Sequence, residues 1–139
     1  MSASESVLGR HAIPIVYDTD IVEARRAARD LATLVGFAGT DLSLIASAVS
    51  EVARNIVEYA KPGEVVLPVV QDRFRTGLQI VARDRGPGIA DVSRAMEKGY
   101  STSGSLGLGL PGSRRLMDEF QVESRIGRGT TITMRKWRS

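Results

Sequence analysis

Glu51 and Asn55 are the first pair whose types and spacing could do chemistry. Four positions apart on a helix, they project from one side, about 100° of rotation from the apolar Val52. They should therefore border the core rather than face open water. A carboxylate and an amide oxygen together suit a hard cation such as Mg²⁺, which keeps several waters and bridges phosphates. The same pattern also serves as a solvated or capping pair, so by itself it leaves both readings open.

Asp84-Arg85-Gly86-Pro87-Gly88 directly follows an apolar strand-like run. Asp84 then stands at a strand end, and Pro87-Gly88 supply the backbone angles of a type II turn, where the chain can approach a flat ligand closely. A carboxylate there accepts a hydrogen bond from an exocyclic amine such as adenine N6, which guanine does not offer at that position. A plain loop is the alternative. Gly104, Gly107, Gly109 and Leu110 lead into a helix expected from Pro111, and such an approach presents free N–H groups and the positive dipole end to an anion. Ser101, Thr102 and Ser103 add hydroxyl donors; a surface loop of small residues is the competing reading.

Other nucleotide sites are excluded. No G-x-x-x-x-G-K-[ST] occurs, and 139 residues are too few for a two-lobed kinase. Gly107-Leu-Gly109-Leu-Pro-Gly112 matches the dinucleotide fingerprint, but it follows a Ser/Gly loop rather than a strand and has no acidic residue about 20 positions on.

Four helices, an edge strand and two hairpins must position these groups. His11 to Tyr17 reads as a short edge strand, with Asp18 or Asp20 capping the helix that follows. Ile21, Ala24, Ala28, Leu31 and Leu34 or Val35 mark one face of that helix, stopped by Gly36. Leu42, Ile45, Val49, Val52, Ile56 and Ala60 mark a second, from Thr40 or Asp41 to Pro62-Gly63. Glu64–Gln71 and Gly77–Asp84 predict a hairpin turning at 72–76, Asp91–Lys98 a short helix, Pro111–Phe120 another, and Val122–Arg125 with Thr130–Trp137 the closing strands. Asp118 and Glu119 would then be helix acids near the Gly/Ser loop, able to repel a phosphate. The fold class is α+β: a two-layer sandwich, helices on one face of a mixed, mainly antiparallel sheet.

The length fits one domain, read as 11–139 behind a flexible tail at 1–10 with no secretory pattern. No window approaches the roughly 18 apolar residues of a membrane span, and with no cysteine there is neither a disulfide nor a thiolate nucleophile. Arg125, Arg128, Arg135, Lys136 and Arg138 face no acid from Ser124 onward; the strip reads as a solvated strand face, and aromatics are too few to make it a nucleic-acid platform. His11 and Trp137 read as structural. Neither a nucleic-acid nor a membrane partner is expected, and the cytoplasm is the expected compartment.

Taken in order, Glu51-x-x-x-Asn55, Asp84-x-Gly86-x-Gly88 and Gly104-x-x-Gly107-x-Gly109 resemble the N, G1 and G2 boxes of the GHKL (Bergerat-fold) ATPase and kinase superfamily. Gly129-Thr130-Thr131 resembles the closing motif, whose threonine supports the adenine pocket. More narrowly, SEVARNIVEYA (50–60), DRGPGI (84–89), GYSTSGSLGLGLPG (99–112) and RRLMDEF (114–120) are similar to the switch serine/threonine kinases of bacterial stressosomes.

That resemblance implies ATP and Mg²⁺ as cofactors, with Asn55 on the metal, Glu51 orienting or deprotonating the attacking hydroxyl and Asp84 reading adenine. It also implies that Gly86 and Gly88 admit the base, while Gly104, Gly107 and Gly109 form a lid hinge and phosphate cradle. The implied partners are STAS-domain substrate proteins and the regulatory domain of a PP2C-type phosphatase. Which cation steadies the γ-phosphate is open among Arg54, Lys98, Arg114 and Arg115. The rival reading is a nucleotide-binding anti-sigma or phosphatase-binding adaptor with little or no transfer; having both Glu51 and Asn55 favours the kinase.

Overall fold

Ile21, Ala24, Ala28 and Ala32, spaced at three and four residues, form the buried face of helix α1 (Asp18–Val35) in the computed structural model, which describes residues 6–9, 12–88 and 115–138. Three alanines on that face keep the side chains short, so α1 can lie close against α2 (Thr40–Asn55). Of the two candidate capping acids it is Asp20 that acts, and from inside the first turn: its Oδ2 accepts the N–H groups of Val16 and Tyr17, each at 2.9 Å. Those two bonds hold the Asp20 carboxyl below the usual carboxylate range. Gly36 stops α1 with φ 112°, and the Phe37 N–H reaches back to the Ala32 carbonyl at 3.0 Å, which satisfies an end carbonyl while Phe37 goes into the core.

Among the described residues seven strands make one sheet: β1 (Ser6–Gly9), β2 (Ala12–Ile15), β3 (Gly63–Val66), β4 (Val69–Gln71), β5 (Thr76–Asp84), β6 (Glu119–Arg125) and β7 (Gly129–Trp137). Every described pairing is antiparallel. β3 and β4 share one edge of β5 in unbroken register, Val66 opposite Val81 and Val69 opposite Leu78, with Gln79 N–H donating to the Pro68 carbonyl between them. They are two halves of the expected hairpin's first strand, parted only where Pro68 has no N–H to give. β2 extends β3 outward, β1 extends β4, β7 takes the other edge of β5, and β6 closes that side.

Alternation then decides which face is dry. Leu78, Ile80 and Ala82 of β5, Ile132 and Met134 of β7, and Val65 and Leu67 beside them point to the helices and meet Ile45, Val49 and Val52 of α2 in one core. Full burial of a side chain such as Ile80 contributes about 1.5–3 kcal/mol.

Two expectations are corrected. Residues 6–9, read as part of a loose tail, pair with β4; this strand has only four residues and a register shift between Val7 and Gly9, too short for alternation to show. The helix expected through Phe120 gives way to β6 at Glu119, because Phe120 and Val122 alternate inward opposite Met134 and Ile132. Asp118 and Glu119 are therefore not helix acids. Asp118 Oδ2 accepts the Trp137 N–H at 2.7 Å and Glu119 Oε2 accepts Trp137 Nε1–H at 2.6 Å, so both are engaged in closing the sheet. The expected helix 91–98, residues 111–114 of the helix from Pro111, and the Gly/Ser segment lie outside the described residues.

Candidate functional site

Asp84 ends β5 on the side of the sheet that faces the helices, because it continues the alternation of Ile80 and Ala82. Its Oδ1 accepts the Gly86 N–H at 2.9 Å and the Thr130 N–H at 3.2 Å. Among the described residues no donor reaches Oδ2, so one carboxylate oxygen is fixed to the backbone and the other is left for a ligand. Burial pushes the Asp84 carboxyl above its ordinary value, and the two backbone bonds only partly oppose this.

Bare backbone packs the loop around that carboxylate. A Cβ on Gly129, whose φ is 105°, would lie 2.1 Å from the Asp84 carbonyl oxygen, and one on Gly88, at φ 80°, would lie 2.4 Å from the Arg125 carbonyl oxygen. The Gly127 N–H donates to the Pro87 carbonyl at 2.9 Å, which ties the Asp84–Gly88 loop to the β6–β7 turn. Glycine is the only residue both conformationally at ease and small enough at these two positions. Thr130 is buried and its hydroxyl pairs with that of Ser124 at 2.8 Å. Thr130 thus positions Asp84 through its backbone while Ser124 holds Thr130. Ser124 was not singled out from the sequence. The available signal was register: Ser124 and Thr130 flank the Gly127–Gly129 turn and must face each other across it.

Glu51 and Asn55 stand on the last turn of α2, both partly exposed, with Val52, Ala53 and Ile56 buried around them. Directly after Asn55 the helix widens into a π turn, Ile56–Ala60, a local distortion that recurs at functional sites. This turn joins the pair to the Asp84 loop: a Cβ on Gly86 would sit 2.5 Å from the Ala60 Cβ, and one on Gly63 would meet the Ile56 side chain at 2.7 Å. The carboxylate–amide pair and the Asp84 loop are therefore held on the same end of one rigid unit.

Glu51 Oε1 pairs with Arg54 Nη1 at 2.9 Å, three residues on. Both side chains are well exposed, so the pair contributes only a few tenths of a kcal/mol. It orients the carboxylate and engages Arg54, one of the cations considered for the γ-phosphate. Asn55 and Glu51 are both hard oxygen donors, and a Mg²⁺ that draws its other ligands from phosphates and water needs no more than one or two of them. Among the described residues no cluster of three or more acidic, His or Cys ligands exists that would enclose a metal by itself.

The remaining predicted contacts, Ser101, Thr102, Ser103, Gly104, Gly107, Gly109 and Leu110, lie outside the described residues, as do Lys98 and Arg114. The C-terminal basic residues do not form one strip. Lys136 turns to the helix side, 3.9 Å from Asp41 and 3.3 Å from the Leu116 carbonyl, while Arg135 bonds Gln79 Oε1 at 2.6 Å on the opposite face.

Residues 17–136 match the model of the histidine kinase-like ATPase domain. The chain is 49% identical over 125 residues to the serine/threonine-protein kinase RsbT of Bacillus subtilis (strain 168), covering 90% of this chain and 94% of that protein. It is 38% identical over 96 residues to an anti-sigma F factor of Clostridium acetobutylicum, covering 64% of this chain and 65% of that one. Among solved structures, the RsbU and RsbW domains of Rv1364c from Mycobacterium tuberculosis align with a TM-score of 0.62 at 18% identity, over 95% of this chain and 34% of that chain. The mycobacterial sensor histidine kinase MprB aligns with a TM-score of 0.55, also at 18% identity, over 93% of this chain and 97% of that chain. These two likenesses concern the fold. No described helix is long and apolar enough to cross a membrane.

Proposed function

The chain belongs to the histidine kinase-like ATPase family, and from that premise we propose that it is an ATP-dependent protein serine/threonine kinase of a bacterial partner-switching pathway. It takes STAS-domain proteins as phosphoacceptors and, once released from them, binds and activates a PP2C-type phosphatase through the latter's regulatory domain. The cytoplasm is its compartment.

One observation carries the reading. The Glu51–Asn55 pair ends α2 at the π turn whose Ala60 packs on Gly86, so a base, a metal ligand and an adenine reader share one end of the sheet. Asp84 Oδ2 accepts from the exocyclic amine of adenine; guanine presents a carbonyl there, and two acceptors would face each other. The Asn55 side-chain oxygen would hold Mg²⁺, and the Glu51 carboxylate beside it pairs weakly with Arg54. The ion would supply charge neutralisation at the phosphates. Glu51 accepts the proton of the acceptor hydroxyl as its oxygen bonds to the γ-phosphorus and the bond to the departing ADP breaks. Positioning and charge neutralisation supply most of such a step.

The anti-sigma relatives favour a second reading, an adaptor that holds its partner without transferring phosphate. The two separate on one titration: a switch kinase holds the unphosphorylated acceptor and releases the product. A phosphomimetic acid at the acceptor Ser or Thr should lower affinity at least tenfold, about 1.4 kcal/mol. Glu51→Gln protein should still bind the unmodified acceptor. Equal affinity for both acceptor forms, with no transfer from Mg²⁺-ATP, would replace the kinase with the adaptor.

A further inference from the structure

Phe74 is 89% exposed, the most exposed large apolar side chain among the described residues. It stands at the tip of the β4–β5 hairpin, where turn chemistry calls for a small or polar residue. Lone exposed apolar residues are common and need no explanation. This one differs because its turn is locked. Asp72 Oδ1 accepts the Phe74 N–H at 2.9 Å and the Arg75 N–H at 3.0 Å, Asp72 Oδ2 accepts Arg75 Nε–H at 3.0 Å, and the Asp72 N–H donates to the Arg75 carbonyl at 3.0 Å.

The lock is anchored below. The Arg75 guanidinium lies 3.8 Å over the Trp137 ring, and Trp137 is held by Glu119 at Nε1 and by Asp118 at its backbone N–H. Arg73 lies 5.8 Å from the Phe74 ring centre. The result is an aromatic ring presented outward beside the Arg73 cation, on a turn with little freedom left to lose. Low ordering cost and an aromatic–arginine composition are the marks of a binding hot spot.

Its place in the fold limits what can use it. β5 runs eight residue steps from Thr76 at this tip to Asp84 at the site, about 26 Å at roughly 3.3 Å per step. A partner seated on Phe74 leaves the Glu51–Asn55 end open. We propose that Phe74 is a preformed docking knob for a protein partner other than the phosphoacceptor, one that presents an apolar pocket with an acidic rim complementary to Arg73. The phrase "other than the phosphoacceptor" rests on the kinase reading above; the knob itself does not.

The test is full-length chain carrying Phe74→p-benzoylphenylalanine, expressed and photocrosslinked in its own cells, with the adduct mapped by mass spectrometry. The expected adduct is a protein that the chain does not phosphorylate, attached at an apolar pocket with an acidic rim. Calorimetry with that purified protein should show at least tenfold weaker binding for Phe74→Ser, near-normal binding for Phe74→Trp, and unchanged ATP binding in both. No adduct, an adduct with a second copy of this chain, with lipid or with the phosphoacceptor, or full affinity in Phe74→Ser overturns the proposal. Persistence of the adduct in a chain that transfers no phosphate to any acceptor would remove the kinase reading and leave the knob standing.

Discussion

Asp84→Asn separates what this carboxylate does for the fold from what it does for the ligand. Both of its protein hydrogen bonds fall on Oδ1, from Gly86 N–H at 2.9 Å and Thr130 N–H at 3.2 Å, and an asparagine carbonyl oxygen can accept both. The loop should therefore stay closed and the melting temperature change little; removing a partially desolvated charge even relieves some burial cost. At Oδ2 the exchange is severe: an acceptor for the adenine amine becomes an NH₂ donor facing another donor. Leaving one such group unmet costs about 1–3 kcal/mol, or roughly 5- to 150-fold in affinity. The asparagine NH₂ can instead donate to the guanine carbonyl, so GTP should gain where ATP loses. Calorimetric titration of ATP and GTP at fixed Mg²⁺, on wild type and Asp84→Asn, reads both changes. Unchanged ATP affinity and an unchanged ATP-to-GTP ratio in a folded variant would refute the adenine assignment.

Four further outcomes follow from the same geometry. Glu51→Gln should bind ATP almost normally while single-turnover transfer slows about 10²- to 10⁴-fold, the usual loss on removing a general base. Asn55→Ala should abolish the Mg²⁺-dependent part of ATP affinity, seen by comparing titrations with Mg²⁺ and with EDTA. Gly129→Ala places a Cβ 2.1 Å from the Asp84 carbonyl at a φ of 105°, so thermal melting should show a loss of about 1–3 kcal/mol together with weakened ATP binding. In acid, the Asp84 carboxyl, whose folded value is raised by burial, protonates earlier than a free aspartate: its ionisation disfavours the fold in full above that raised value, and the cost shrinks as pH falls through it and is gone below the ordinary aspartate value, whereas ATP affinity, which needs the ionised acceptor, falls as pH drops through the raised value. An ATP-affinity profile in Asp84→Asn that keeps the acid loss would assign it to another group.

Much of this arrangement was legible because local patterns and tertiary packing agree. The stripe of α2 and most of that of α1 are faces buried in the core, though at the end of α1 Ala32 goes in and Leu34 stays exposed, and the Gly127–Gly129 turn carries the glycines a tight turn wants. β1 escaped because four residues with a bulge carry no period. The start of β6 escaped because Leu116, Met117 and Glu119 are good helix formers, and the bonds that draw Asp118 and Glu119 into the sheet come from Arg135 and Trp137, far along the chain. The π turn after Asn55 has no sequence signature; it exists to bring Ala60 against Gly86, a contact visible only in three dimensions. The Glu51–Arg54 pair is legible from i,i+3 spacing, which makes Arg54 a neighbour of the carboxylate as well as a candidate phosphate ligand.

The central claim, that this chain moves a phosphoryl group onto a protein hydroxyl, is tested most directly by intact-mass spectrometry of a STAS-domain acceptor incubated with the chain and Mg²⁺-ATP. The account predicts a mass gain of one phosphate, localised to a Ser or Thr, present with wild type and lost or greatly slowed with Glu51→Gln. An acceptor that binds the ATP-loaded chain yet leaves at unchanged mass would contradict it.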